Sequence, residues 1–74
     1  MNENSKVISL WLTVNRNGTV LLHCSEPTKN DSLGVWESEM LYCNAMLYKQ
    51  MRELVKNSGM SFESEPEQFE IKVG

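Results

Sequence analysis

Asn15-Arg16-Asn17-Gly18, set between the apolar runs Val7–Val14 and Val20–Cys24, decides how this chain folds. Asn and Gly tolerate positive φ better than other residues, so Asn-Gly between two strand-like runs predicts a β-hairpin. Two registers compete. If the loop holds only Asn17 and Gly18, Val14 faces Leu21 and Leu12 faces His23, and both sheet faces mix apolar with polar residues. If a type I turn covers Arg16 and Asn17, with Gly18 as the left-handed residue of a bulge, Val14 faces Val20, Leu12 faces Leu22 and Leu10 faces Cys24. That register gathers one apolar face and leaves Trp11 opposite His23 and Thr13 opposite Leu21 on the other. A slip of one residue would exchange the faces, so the cleaner separation selects the bulged turn.

The rest of the chain is read outward from this hairpin. Pro27 has no N–H for a ladder, so the second strand should end near Ser25 or Glu26. Thr28-Lys29-Asn30-Asp31-Ser32 reads as a polar turn, and Gly34-Val35-Trp36-Glu37 as a third strand continuing the meander antiparallel to the second. Cys43, Leu47, Met51, Leu54 and Val55 share a stripe at helical spacing, opposite Lys49, Arg52, Glu53 and Lys56. Asn44 suits the N-cap and Gly59 the C′ position. Met40–Tyr42 reads equally well as the start of that stripe or the end of a strand. Met60–Glu63 and Phe69–Val73 return to period two, with a turn at Ser64-Glu65-Pro66-Glu67 between them.

Together these elements predict an α+β fold, a two-layer sandwich. An antiparallel meander of three strands (about 7–14, 19–25 and 34–38) carries one amphipathic helix (about 44–57), and a C-terminal strand (about 69–73) joins a sheet edge. The helix is expected to lay Leu47, Met51 and Leu54 across the face formed by Ile8, Leu10, Leu12, Val14, Val20, Leu22 and Cys24.

A chain of 74 residues makes one small domain, 1–74, with residues 1–5 expected to be disordered. A domain of this size buries only about 60% of the surface of its unfolded chain. Seven basic and ten acidic residues give a net charge of −3, which argues against broad binding to a phosphate backbone. Met1–Lys6 lacks the basic segment and apolar run of a signal peptide. No stretch approaches the ~18 apolar residues of a membrane span. The cytoplasm is the expected location, where Cys24 and Cys43 stay reduced.

One resemblance stands out. Asn17-Gly18-Thr19-Val20-Leu21-Leu22 precedes Glu26-Pro27-Thr28-Lys29-Asn30 and Gly34-Val35-Trp36-Glu37, and the chain closes on Phe62-Glu63-Ser64-Glu65-Pro66 and Phe69-Glu70-Ile71-Lys72-Val73. Over about half its length the chain thus resembles the short uncharacterised α+β proteins of gut bacteria and their phages and mobile elements. Those share a hairpin, a proline-lysine segment, a glycine-x-tryptophan strand and an acidic, proline-containing C-terminal strand. The resemblance implies no activity.

Few residues suggest chemistry. His23, Cys24 and Cys43 are the only imidazole or thiol groups, one short of a structural zinc set, and His23 and Cys24 point to opposite sheet faces. The same geometry denies them a Cys-His nucleophile pair, and both cysteines read more simply as small core residues. No metal, cofactor or enzymatic activity is expected. Trp11, His23 and Trp36, on the face away from the helix, form the candidate protein-binding site. An exposed aromatic patch there would mark an interaction surface, unless the C-terminal segment folds over it. Lys49, Arg52 and Lys56 form a basic helix face that reads first as solvated and alternatively as a nucleic-acid contact. Glu63, Glu65, Glu67 and Glu70 guard a strand edge, or alternatively make the acidic docking segment of a phage-type inhibitor. The resulting expectation is a non-enzymatic accessory protein. It would act through protein–protein contacts, with an unknown protein partner or by self-association, away from membranes and nucleic acid.

Overall fold

The Asn15–Gly18 turn takes the bulged form. In the computed structural model, which describes residues 6–73, the Gly18 N–H donates to the Asn15 carbonyl at 2.9 Å and the Asn15 N–H to the Thr19 carbonyl at 2.8 Å. Gly18 has φ 93°, and the Thr19 N–H is held by the Asn17 side-chain oxygen at 3.0 Å. Residues 1–5, where disorder is expected, and Gly74 lie outside the described residues.

The elements run β1 (Lys6–Val14), β2 (Val20–His23), β3 (Thr28–Asn30), β4 (Val35–Glu37), α1 (Ala45–Ser58) and β5 (Glu67–Val73). They form a compact α+β fold with two antiparallel sheets, one of order β2-β1-β5 and one of β3 with β4. Val14 faces Val20, Leu12 faces Leu22, Thr13 faces Leu21 and Trp11 faces His23, the register that the pattern of polarity selects. The C-terminal strand joins the open edge of β1, pairing Leu12 with Glu67 and Ile8 with Ile71.

One face of the large sheet carries the core. Leu12, Val20 and Leu22 are buried there, packed against Tyr42, Leu47, Tyr48, Met51, Val55, Met60 and Phe69. The helix starts where Asn44 caps it, its side-chain oxygen accepting from the Leu47 N–H at 3.0 Å, and ends at Gly59. It is rotated slightly from expectation. Tyr48 faces the sheet in place of Leu54, which is 49% exposed, and no helix residue is fully buried.

Three expectations are corrected. The segment 34–38 does not extend the meander: Val35–Glu37 pairs with Thr28–Asn30, which read as a turn because three polar residues carry no hydrophobic period. The turn lies later, at Asp31–Gly34, with the Gly34 N–H donating to the Asn30 carbonyl at 2.9 Å. Second, the neighbour of β2 on its outer side is 40–42. Cys24 N–H donates to the Met40 carbonyl and Tyr42 N–H to the Leu22 carbonyl, each at 2.9 Å, so Met40–Tyr42 lies outside the helix and makes a single bridge to β2 at Leu41 without becoming a strand. Third, Met60–Glu63 is a loop closed by Ser64 N–H on the Ser61 carbonyl at 3.0 Å, which turns Phe62 inward.

The β3–β4 ribbon folds back over the sheet face away from the helix. Asn15 fastens it: its side-chain oxygen accepts the Trp36 N–H at 2.9 Å, while the neighbouring Arg16 N–H donates to the Gly34 carbonyl at 2.8 Å. Beneath the ribbon, Thr13 and His23 are inaccessible to solvent, so the architecture is a sandwich with a partial third layer. No described helix is long and apolar enough to cross a membrane.

Gly18 and Gly34 both hold positive φ, but their surroundings differ. A Cβ on Gly18 would meet nothing within 4 Å, whereas one on Gly34 would lie 3.0 Å from the Arg16 Cβ. Gly18→Ala should therefore lose only the backbone term, about 1–2 kcal/mol. Gly34→Ala should lose clearly more, since Arg16 is fixed by its own backbone bond to that loop. Urea denaturation of the two variants measures the difference, and equal losses would mean that the Arg16 loop yields freely.

Candidate functional site

Of the residues expected to form a binding patch, Trp11 and His23 are cross-strand partners, and Trp36 belongs to the ribbon that lies over them. His23 is wholly buried and presents no surface to a partner, which corrects the expectation of an exposed site there. Its ring nitrogens are both engaged, Nε2 with Thr13 Oγ1 and Nδ1 with Ser38 Oγ, each at 2.7 Å. Ser38 Oγ donates to the Met40 carbonyl at 3.2 Å, which leaves its lone pairs for the His23 Nδ1–H. Thr13 O–H then donates to Nε2, and the imidazole is satisfied in its neutral form. Burial lowers its pKa from the ordinary 6.5, in the direction this arrangement requires.

Trp36 is half-buried, edge-on to Phe62 with centroids 6.3 Å apart. The Phe62 ring lies between two cations, with Arg16 Cζ at 4.9 Å and Lys29 Nζ at 4.6 Å from its centroid. Lys29 also bonds Glu63 at 3.1 Å, so part of the acidic segment is tied to this cluster. The Trp36 indole N–H is buried without a hydrogen-bond acceptor among the described residues. Trp11, between His23 and Gln68 in the sheet, is half-buried. The set is a structural clasp with two partly exposed tryptophans at its margins.

Cys24 and Cys43 are free thiols, half-buried and exposed respectively, which corrects the expectation that both sit in the core. Among the described residues no group of three or more His, Cys, Asp or Glu side chains is arranged to hold a metal. Lys49, Arg52 and Lys56 border a hollow of about 370 Å³ together with Gly18, Val20 and Glu53, so a carboxylate sits within the basic face.

The most apolar concavity lies elsewhere. A groove of about 320 Å³ wraps the outer edge of β2, lined by Val20, Leu21 and Leu22, by Leu41–Asn44 of the connection and by Ala45 and Tyr48 of the first helical turns. It exists because the 40–42 segment covers β2 only as far as Leu22 before the chain leaves for the helix. Leu41 is 49% exposed, and Met40 and Met46, next in sequence to lining residues, are 62% and 75% exposed. Sequence reasoning missed this site. Its signal was the run Met40-Leu41-Tyr42-Cys43, whose apolar residues exceed what one stripe of a helix can bury.

Neither protein-family models, nor characterised proteins, nor solved structures match this chain. The functional reading therefore rests on the geometry alone.

His23 is the single histidine, so its titration is read cleanly. In the unfolded chain it protonates near 6.5, while the folded site resists the proton. Below that pH the unfolded state binds more protons and stability falls; above it the ring is neutral in both states and the term is flat. The melting temperature should be level near pH 7.5 and drop as pH falls from about 6.5 toward about 5.5. The ring resonances in NMR should titrate with a midpoint below 6.5. A midpoint above 6.5 would contradict the neutral hydroxyl-bridged ring.

Proposed function

We propose that this chain is a non-enzymatic, cytoplasmic binding protein that acts through protein–protein contacts, and that the groove beside β2 receives an apolar side chain of its partner. The observation that carries this reading is an apolar groove with exposed Leu41 in its wall, and with exposed Met40 and Met46 next in sequence to its lining residues. Monomeric proteins seldom leave such apolar surface contiguous unless something docks on it. Methionines suit the role because their unbranched side chains repack around different shapes. A non-enzymatic role is supported by His23, whose ring nitrogens are both committed to hydroxyls and shielded from solvent. The free Cys24 and Cys43 suit a reducing compartment.

The test uses Ala45→Arg, an exposed position at the start of the helix whose longer side chain fills the groove. Peptides selected by display against the protein should be apolar and should shift the amide resonances of residues 41–48. Ala45→Arg should weaken their binding at least tenfold while leaving the melting temperature within a few degrees. Selection of no binding peptide, or of peptides whose binding ignores Ala45→Arg, would overturn the reading. Steeply salt-dependent binding of mixed-sequence DNA, lost on reversing Lys49 and Arg52, would replace it with the nucleic-acid alternative.

A further inference from the structure

The opposite edge of the sheet has a different character. Strand β5 runs for seven residues and ends the order β2-β1-β5, with no described strand on its outer side. Its neighbours show which backbone groups face outward. Asn15 N–H bonds the Thr19 carbonyl, so odd positions of β1 exchange hydrogen bonds with β2 and even positions turn toward β5. Glu67, Phe69 and Ile71 lie opposite Leu12, Leu10 and Ile8, and so bond inward; Gln68, Glu70 and Lys72 present their N–H and C=O groups to the open side. Those same three side chains are exposed, whereas Phe69 and Ile71 are half-buried.

We propose that β5 pairs antiparallel with β5 of a second copy of this chain, about a two-fold axis passing by Ile71. This goes beyond the groove reading and uses the other side of the molecule. Antiparallel partners must lie on the same face, so only registers that join positions of equal parity are allowed. An axis at Glu70 sets that carboxylate against its own copy, which is repulsive. An axis at Phe69 sets Gln68 against Glu70 and Glu67 against Ile71, and brings Pro66, which has no N–H, opposite Lys72. An axis at Ile71 places Glu70 opposite Lys72 of the partner and Lys72 opposite its Glu70. The two Ile71 side chains then meet as a close, non-hydrogen-bonded pair. The outward N–H and C=O groups of Glu70 and Lys72 are the ones such a register needs, since they form the hydrogen-bonded pairs flanking the axis. Opposite charge, backbone polarity and apolar contact therefore agree on one register. The partner it fits is an identical strand, in a closed isologous dimer with a continuous six-stranded sheet.

Sedimentation equilibrium of the intact chain over a wide concentration range tests this. A reversible dimer of twice 8.5 kDa should form at high concentration and weaken as salt is raised. Glu70→Lys and Lys72→Glu should each weaken dimerisation at least tenfold, because each sets like charges opposite one another. The double exchange, Glu70→Lys with Lys72→Glu, should restore it. Thermal melts confirm that every variant is folded, and Ala45→Arg should leave the dimer intact, so failure here is distinct from failure of the groove reading. A chain that stays monomeric up to its solubility limit would overturn the proposal. So would a dimer indifferent to the single reversals, or one not rescued by the double exchange.

Discussion

The registration of β1 on β2 is the constraint on which the other packing depends. The bulge at Gly18 sets Val14 against Val20, and every side chain of both strands is then committed to a face. Leu12 and Leu22 fall under the helix, and Thr13 and His23 under the ribbon. A slip of one residue would turn the imidazole into the apolar layer away from Thr13, and would turn Leu22 away from the helix. The turn thus separates two interiors of different chemistry on either side of one strand.

The second interior holds a chain of polar groups running from Thr13 through His23 to Ser38. A hydroxyl donates to an imidazole, which donates to a second hydroxyl, which donates to a main-chain carbonyl. That last carbonyl belongs to Met40, which also accepts from Cys24 and so belongs to the segment pairing with β2. Ribbon, central hairpin and edge segment are therefore joined through one buried ring. Asn15 adds a separate tie, since it closes the hairpin with its backbone and holds the ribbon with its side chain.

Much of the fold was legible because it rests on local rules. The Asn-Gly turn, the alternation of β1 and β2, the Asn44 cap and the Gly59 terminus each depend on residues close in sequence. What escaped depends on partners far along the chain. Thr28–Asn30 becomes a strand only because Val35–Glu37 lies beside it, and three polar residues have no pattern to announce that. His23 read as a surface group because nothing in its neighbourhood says that Ser38 will meet it. The groove was hidden for the same reason: its walls come from β2, from the connection and from the helix. Alternation along β1 and β2 set Trp11 opposite His23, but could not show that Trp36 belongs to the ribbon lying over that face.

The helix rests on the sheet through Leu47, Tyr48, Met51 and Val55 without burying any of them fully. Each such contact is replaceable by another apolar residue of similar size at little loss, since half-covered side chains do not interlock tightly. Strand β1 has no such latitude, for Leu10, Leu12 and Thr13 are sealed on both sides. Evolutionary drift should consequently be unequal across the molecule. Descendants of this chain can rewrite the helix, and with it the wall of the groove and its choice of partner, while the central strand stays fixed.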